Sequence, residues 1–188
     1  MGDEKSYHSE YGDLGGAEVR NGHVFAANRS VCMEESYPIA YNLGCGKKQW
    51  PGWIGVDSNS TGALSINCDL KDLHVIGSDS ADAVAAIHVL EHFYQWEALP
   101  LILEWRRILK PNGKMILEMP CLDKVFGYIM RCGQKKQAIQ PFMTLLPLWG
   151  DPKHQDPAMC HRWGYFKSTL RELLENAGMR EITFMEPQ

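Results

Sequence analysis

Two glycines and an aspartate occupy positions from which they can hold a nucleoside. Gly44 and Gly46 follow the apolar run 38–43, and Asp57 closes a second apolar run, 53–56. Glycine has no Cβ and tolerates positive φ, so a turn built on it lets the backbone approach a ligand closely. A carboxylate at the end of the next strand can accept hydrogen bonds from both hydroxyls of a ribose. This spacing predicts a nucleoside-binding crevice beside two short strands.

The length of the connection between those strands distinguishes two kinds of cofactor. A nicotinamide dinucleotide site has a third glycine and a helix whose N-terminus receives the pyrophosphate. Here the ten residues 43–52 separate the strands, and Pro51 is among them. Such a connection has room for about one helical turn. The spacing therefore favours a cofactor without phosphate, such as S-adenosylmethionine.

Four motifs resemble, in the same order, those of class I S-adenosylmethionine-dependent methyltransferases. They are Asn42–Gly46, Pro51–Asp57, His88–His92 and Arg107–Gly113. The short first crossover and the later His161-Arg162-Trp163 resemble a subgroup of small, mostly uncharacterised methyltransferases. Some members of that subgroup are associated with sugar or cell-envelope pathways. The resemblance covers about residues 38–120 and 161–185.

The resemblance implies a site for the cofactor. Gly44 and Gly46 would lie beside its methionine part, and Asp57 would bind the ribose. Asp69 would bind the adenine amino group, although it can also be a plain turn residue, and Leu70 would pack on the ring. The complete predicted cofactor-binding set is Asn42, Gly44, Cys45, Gly46, Asp57, Ser58, Asp69, Leu70 and His88.

The residues that handle the methyl acceptor are marked less clearly. Methyl transfer requires the acceptor, the methyl group and the sulfur to be held in line, and an oxygen or nitrogen acceptor can need a base. The histidines considered for that role, with ordinary pKa values near 6.5, are His88, His92, His154 and His161. We predict His88, His161 and Arg162 as catalytic residues, because Arg162 can bind a carboxylate or phosphate on the acceptor. Glu91 and His92 are expected to be structural.

No metal site is predicted from the sequence. The nearby cysteines and histidines lack the Cys-x₂-Cys spacing of a zinc site; they are Cys121, Cys132, His154, Cys160 and His161. Three aromatics, Trp149, Trp163 and Tyr165, could stack on a sugar or a flat acceptor. Residues of this kind are more often part of the core, which is the interpretation we favour.

Alternating strands and helices must position these residues. Apolar runs predict strands over 39–43, 53–57, 65–68, 82–87, 113–119 and 179–185. Apolar residues at helical spacing predict a helix over 96–109 with Pro100 in its first turn. A last helix would be capped by Ser168 or Thr169. This alternation predicts an α/β, Rossmann-like three-layer sandwich with a mostly parallel sheet.

The family has seven strands, and only three residues follow Met185, so one strand is expected to be missing or supplied from elsewhere. The methyltransferase domain would span 37–188. Residues 121–166 would be an insertion over the carboxyl ends of the strands, on the acceptor side. Residues 1–36 would be an N-terminal extension that forms a lid or is disordered.

Composition narrows the class of protein. The length of 188 residues suggests one domain, and the net charge of -4 argues against general nucleic-acid binding. The sequence has neither an apolar stretch long enough for a membrane span nor the apolar core of a signal peptide. Its six cysteines show no paired spacing, which is typical of reduced thiols and predicts a cytoplasmic protein.

The predicted function is methyl transfer from S-adenosylmethionine to a small molecule, such as a sugar or cell-envelope precursor. Two alternatives stay open. One is a non-catalytic cofactor-binding module or partner subunit of the same fold. The other is a nicotinamide-dependent oxidoreductase, which the short crossover disfavours. The sequence predicts neither the acceptor atom nor the oligomeric state.

Overall fold

A mixed sheet forms the centre of the protein. The computed structural model describes residues 23–25, 38–48, 50–59 and 64–185. The strands are β1 (His23–Phe25), β2 (Ala40–Leu43), β3 (Ile54–Val56), β4 (Ser65–Ile66), β5 (Ala81–Ile87) and β6 (Leu109–Pro120). They lie in the order β1-β6-β5-β2-β3-β4. β2 to β6 pair in parallel, and β1 is antiparallel to β6.

The strand order reverses direction between β2 and β5. From β2 the chain moves outward to β3 and β4, and it then returns to the other side of β2 to form β5 and β6. In the register of the central pair, Leu43 lies opposite Ala86. In open α/β sheets ligands bind outside the carboxyl ends of the strands at such a reversal. The glycine turn after β2 and the segment after β5 both lie there.

Four α-helices in the described ranges complete the layers. They are α1 (Gln95–Ile108), α2 (Leu122–Lys135), α3 (Leu145–Trp149) and α4 (Lys167–Asn176). The predicted apolar face of α1 is buried in the main core with the face of α4 that contains Leu170 and Leu174. A smaller cluster on the other face of the sheet contains Ala40, Trp53 and Ala83. Apolar side chains therefore cover both faces, as the alternation of elements predicted.

The helix that follows β5 begins earlier than the sequence indicated. α1 starts at Gln95, where the Glu97 carboxylate accepts a hydrogen bond of 2.9 Å from the Tyr94 N–H. Pro100 is therefore the sixth residue of the helix, and its predicted place in the first turn is wrong. Proline has no N–H, so the carbonyl of Trp96 has no intrahelical donor. Trp96 is exposed, which lets water solvate that carbonyl.

The predicted cap of the last helix is also wrong. α4 begins at Lys167, so neither Ser168 nor Thr169 precedes it. Thr169 instead acts from the third position, where its hydroxyl accepts a hydrogen bond of 3.1 Å from the Phe166 N–H. The Asp123 carboxylate accepts another, of 2.7 Å, from the Lys167 N–H. A side chain from α2 thus supplies part of the cap.

The edge of the sheet beside β6 differs from the sequence prediction. Residues 179–185 form no strand, because Glu181 has φ 56° and interrupts the extended backbone. The Arg171 guanidinium also donates to the Ile182 carbonyl at 3.1 Å. β1 pairs with the end of β6 in the register His23 to Pro120. The described sheet therefore has six strands, one fewer than the seven that the resemblance implies, and its edge strand β1 precedes β2 in the chain.

Residues 121–166 leave and rejoin the sheet at one point. The Leu122 N–H donates to the Tyr165 carbonyl at 3.0 Å, and Cys121 and Tyr165 form a parallel bridge. At the end of this segment, the N–H groups of Arg162 and Trp163 donate to the Glu91 carbonyl. The segment therefore contacts the residues that follow β5. No helix in the described ranges is long and apolar enough to cross a membrane.

Candidate functional site

The turn after β2 depends on two glycines, each for a different reason. Gly44 has φ 66° and Gly46 has φ 53°, backbone conformations that residues with a side chain rarely adopt. A Cβ on Gly44 would lie 2.5 Å from Val89 Cγ2, whereas a Cβ on Gly46 would have no described atom within 4 Å. Gly44 thus lets the turn pack against the segment after β5. Gly46 borders open space that a ligand can enter.

Asp57 connects the end of β3 to this turn. Its Oδ2 accepts a hydrogen bond of 2.9 Å from the Gly46 N–H, and its Oδ1 accepts one of 2.9 Å from the Asn59 N–H. Each carboxylate oxygen has a second lone pair, so both can still accept from a ribose hydroxyl. Ser58, also predicted to bind the cofactor, is exposed next to Asp57, and its hydroxyl accepts from the Asn59 amide at 3.4 Å.

Two predicted cofactor residues have side chains inside the protein. Asn42 is buried in β2, where it pairs with Gly55 on one side and Ala85 on the other. Cys45 is buried against β3, and a Cβ on Gly55 would lie 2.7 Å from its Sγ. These side chains hold the turn on the sheet. Any contact of Cys45 with a ligand would involve its backbone.

The segment after β4 lies beside Asp57. The Asp57 N–H donates to the Ile66 carbonyl at 3.1 Å. Asp69 is exposed, and its Oδ1 accepts from the Lys71 N–H at 2.9 Å, which is the turn geometry that the sequence left open. Leu70 is half-buried, and its carbonyl accepts a hydrogen bond of 3.0 Å from the Trp105 indole. The structure thus brings the predicted ribose and adenine residues to one edge of the sheet.

His88 lies between two buried glutamates. It follows β5 with φ 55°, and its N–H donates to the Glu118 carbonyl at 2.8 Å. Its Nδ1 is 3.0 Å from Glu91 Oε1, and its Nε2 is 3.2 Å from Glu118 Oε1. Carboxylates only accept, so both ring nitrogens donate and the ring is an imidazolium.

The protonation of His88 argues against its role as a base. Burial opposes the charged form, but the hydrogen bonds to Glu118 and Glu91 outweigh burial and raise the pKa to about 9. A histidine with that pKa remains protonated at neutral pH and has no lone pair to accept a proton. The sequence-based expectation of an ordinary pKa for His88 is therefore wrong. Its charge instead holds Glu91 and Glu118 in place.

Sequence reasoning missed both glutamates as members of the site. Glu118 is a lone acid in the otherwise apolar run 115–119, and it is buried. A buried acid needs a partner, so an acid within an apolar run is the sequence signal that could have placed Glu118 in a polar cluster. Glu91 was expected to be structural, yet it is 1% exposed and lies beside both His88 and His161.

His161 joins the same cluster from the other side. Its Nε2 is 4.0 Å from Glu91 Oε1, and its ring lies edge-on to that of His92, with centroids 5.0 Å apart. Burial, reinforced by the nearby His161, lowers the pKa of His92, so the His92 ring is neutral at pH 7. The structure therefore brings the predicted His88 and His161 together around a glutamate and a second histidine.

Arg162 is exposed, and its guanidinium lies 5.1 Å from the centre of the Tyr94 ring. Trp149 and Trp163 are exposed as well, so for these two the core interpretation is wrong. Tyr165 is buried and belongs to the core, as expected. An exposed cation and exposed indoles thus lie on the segment that ends beside the cluster.

The thiols and the remaining histidine do not join this cluster. Five cysteines lie in the described ranges, and none of these five forms a disulfide. His154 is exposed, and its N–H donates to the Asp151 carbonyl. Cys32 lies outside the described residues.

Comparisons with known proteins agree with this architecture. Residues 43–117 match the family described as methyltransferase domain. A SAM-dependent methyltransferase from Archaeoglobus fulgidus is 17% identical, with a TM-score of 0.57 over 81% of this chain and 66% of that one. This chain thus spans just under two thirds of the length of that protein.

A second solved structure has the same fold. It is a SAM-dependent methyltransferase, possibly a histamine N-methyltransferase, from Thermotoga maritima. It is 14% identical, with a TM-score of 0.51 over 81% of this chain and 68% of that one. No curated protein matches this chain. The structural likenesses confirm the Rossmann-like α/β fold that the sequence predicted.

Proposed function

We propose that this chain transfers a methyl group from S-adenosylmethionine to a small-molecule acceptor. The premise is the match of residues 43–117 to the family described as methyltransferase domain, which agrees with the four motifs of the sequence. One observation carries the proposal. The glycine turn with Asp57 and the His88–Glu91–His161 cluster meet at the reversal of strand order, where Gly44 packs against Val89.

The residues on the cofactor side fit S-adenosylmethionine. Gly46 borders open space, and Asp57 keeps lone pairs for the ribose hydroxyls. The backbone of residues 44–46 would hold the methionine part, and Asp69 with Leu70 would hold the adenine. The cofactor, when bound, supplies a methyl group that its sulfonium already activates. The protein therefore has to align an acceptor and exclude water.

The acceptor side would be formed by the segment after β5 and by the end of 121–166. Arg162 offers an exposed cation there, and Trp163 offers an exposed aromatic surface. This pair suits a small acceptor that combines a ring with a carboxylate or phosphate, such as a sugar or cell-envelope precursor. His88 stays protonated at neutral pH, so a proton leaving the acceptor does not move to it.

The test is transfer of isotope-labelled methyl groups. Purified protein and labelled S-adenosylmethionine are incubated with panels of sugars, sugar phosphates, small acids and amines. We expect label to enter one chemical class, and Asp57→Ala to lose this activity while Glu172→Ala, which removes an exposed acid from α4, retains it. Binding of S-adenosylmethionine without methyl transfer to any compound of the panels would contradict the proposed enzymatic activity and favour a non-catalytic cofactor-binding module.

A further inference from the structure

Three side chains beside the proposed acceptor side point donor atoms at one another. Glu91, His92 and His161 each offer one potential metal ligand, and these atoms lie within 4.8 Å of one another. Glu91 and His92 are on a single 3-10 turn after β5, while His161 comes from the end of 121–166. Two imidazoles and one carboxylate form a donor set that divalent transition metals prefer.

The backbone fixes which nitrogen of each histidine is available. His92 Nδ1 is 3.2 Å from the Cys160 carbonyl, and His161 Nδ1 is 2.9 Å from the Pro147 carbonyl. A carbonyl oxygen only accepts, so in the neutral ring each Nδ1 carries the proton and each Nε2 carries the lone pair. Metal-bound histidines are typically oriented in this way, by donating their other ring N–H to a carbonyl or carboxylate.

Buried oxygen atoms of this cluster lack hydrogen-bond partners. Glu91 Oε2, Glu118 Oε2 and the Tyr165 hydroxyl are buried and have no hydrogen-bond partner within the described ranges. Buried polar atoms are usually satisfied, and a buried group without a partner is costly. A cation bound to Glu91 would give its carboxylate such a partner.

We propose that Glu91, His92 and His161 bind one divalent transition-metal ion, of which Zn²⁺ is the representative. Glu91 Oε1 and His161 Nε2 are 4.0 Å apart, and ligands of a tetrahedral zinc lie about 3.4 Å apart. A small side-chain rotation would therefore close the site. Three protein ligands leave a fourth position open, which is the arrangement of zinc sites that bind a water or substrate. This inference does not depend on the methyl-transfer reaction.

The experiment is metal binding by the full chain after treatment with a chelator. We expect calorimetry with Zn²⁺ to show one equivalent bound. Both His92→Ala and His161→Ala should weaken binding at least about 10–100-fold, the loss seen even for outer-shell groups of metal sites. The matched control is His154→Ala, which removes an exposed histidine from the same 121–166 segment and should bind Zn²⁺ like the wild type.

The wild-type protein provides a readout that no folding defect can affect. Its Co²⁺ complex should show the visible spectrum of a nitrogen and oxygen ligand set, without the charge-transfer band of a thiolate. A thiolate band would assign the ion to a cysteine and overturn the ligand set. Absence of wild-type binding, or equal binding by all three alanine variants, would overturn the site itself. Loss of binding in His154→Ala would show that the ion lies elsewhere.

Discussion

The glycine turn permits a test in which stability and binding respond to different residues. Gly44 and Gly46 have similar positive φ, but a Cβ on Gly44 meets Val89 while one on Gly46 meets open space. Gly44→Ala should therefore destabilise the fold, and Gly46→Ala should mainly weaken binding of S-adenosylhomocysteine. This revises the simplest expectation from the sequence, in which a side chain at Gly44 blocks the ligand directly.

The expected magnitudes follow from the two environments. A left-handed alanine costs about 1–2 kcal/mol, and the loss of glycine freedom in the unfolded chain returns about 0.4–1 kcal/mol. Gly46→Ala should thus lower the free energy of unfolding by roughly 0.5–1.5 kcal/mol. Overpacking against Val89 adds about 1–3 kcal/mol at Gly44, for a total of roughly 1.5–4.5 kcal/mol.

Urea unfolding measures the first effect and calorimetry with S-adenosylhomocysteine measures the second. Val89→Ala removes the contacting methyl groups, so the double variant with Gly44→Ala should recover about 1–2 kcal/mol relative to additivity. Additive losses would refute the packing argument. Wild-type affinity in Gly46→Ala would show that the ligand does not enter the space beside this residue.

Two further predictions concern charged side chains. The pKa of His88 rises from 6.5 to about 9 on folding, so its stabilising effect is complete below pH 6.5 and is lost as the pH rises through 9. With about a third of the side chain exposed, screening reduces this effect to about 1–2 kcal/mol. In urea unfolding with a chelator present, the free energy of unfolding should fall by about 1–2 kcal/mol more between pH 6.5 and 10 for the wild type than for His88→Gln. Parallel pH dependences of the two proteins would contradict this prediction. Arg162→Ala should lower kcat/KM for an anionic acceptor roughly 10–100-fold and leave cofactor affinity unchanged, whereas Arg180→Ala, an exposed cation beyond α4, should change neither. A loss of cofactor affinity in Arg162→Ala would show that Arg162 lies on the cofactor side and would contradict its proposed contact with the acceptor.

The parts of the site that the sequence predicted are those that depend on local backbone. A glycine turn after an apolar strand and an acid after the next strand can be recognised within about 20 residues, and the structure has them at one edge of the sheet. Strand positions could be predicted for the same reason, because buried parallel strands are continuous apolar runs. The strand predicted over 179–185 was wrong, since the left-handed Glu181 interrupts a segment whose composition suits a strand.

The remaining part depends on tertiary contacts that spacing does not encode. Hydrogen bonds to Glu118 and Glu91 raise the pKa of His88, and Glu118 comes from β6, a separate part of the chain. His161 reaches Glu91 only because the chain from 121 to 166 returns to the sheet beside β5. The same return brings Glu91, His92 and His161 together, which a search for closely spaced cysteines could not find. The pairing of β1 with β6 could not be predicted either, because β1 lies in a polar segment of the sequence with weak periodicity.

The central claim is that the crevice beside Gly46 and Asp57 binds S-adenosylmethionine, and calorimetry tests it most directly. S-adenosylhomocysteine and NADH are titrated side by side into the wild type and Asp57→Ala. We predict one site of micromolar affinity for S-adenosylhomocysteine, no binding of NADH, and a loss of about 1.5–3 kcal/mol, or roughly 10–150-fold, in Asp57→Ala. Binding of NADH without S-adenosylhomocysteine, or an unchanged dissociation constant in Asp57→Ala, would contradict the account.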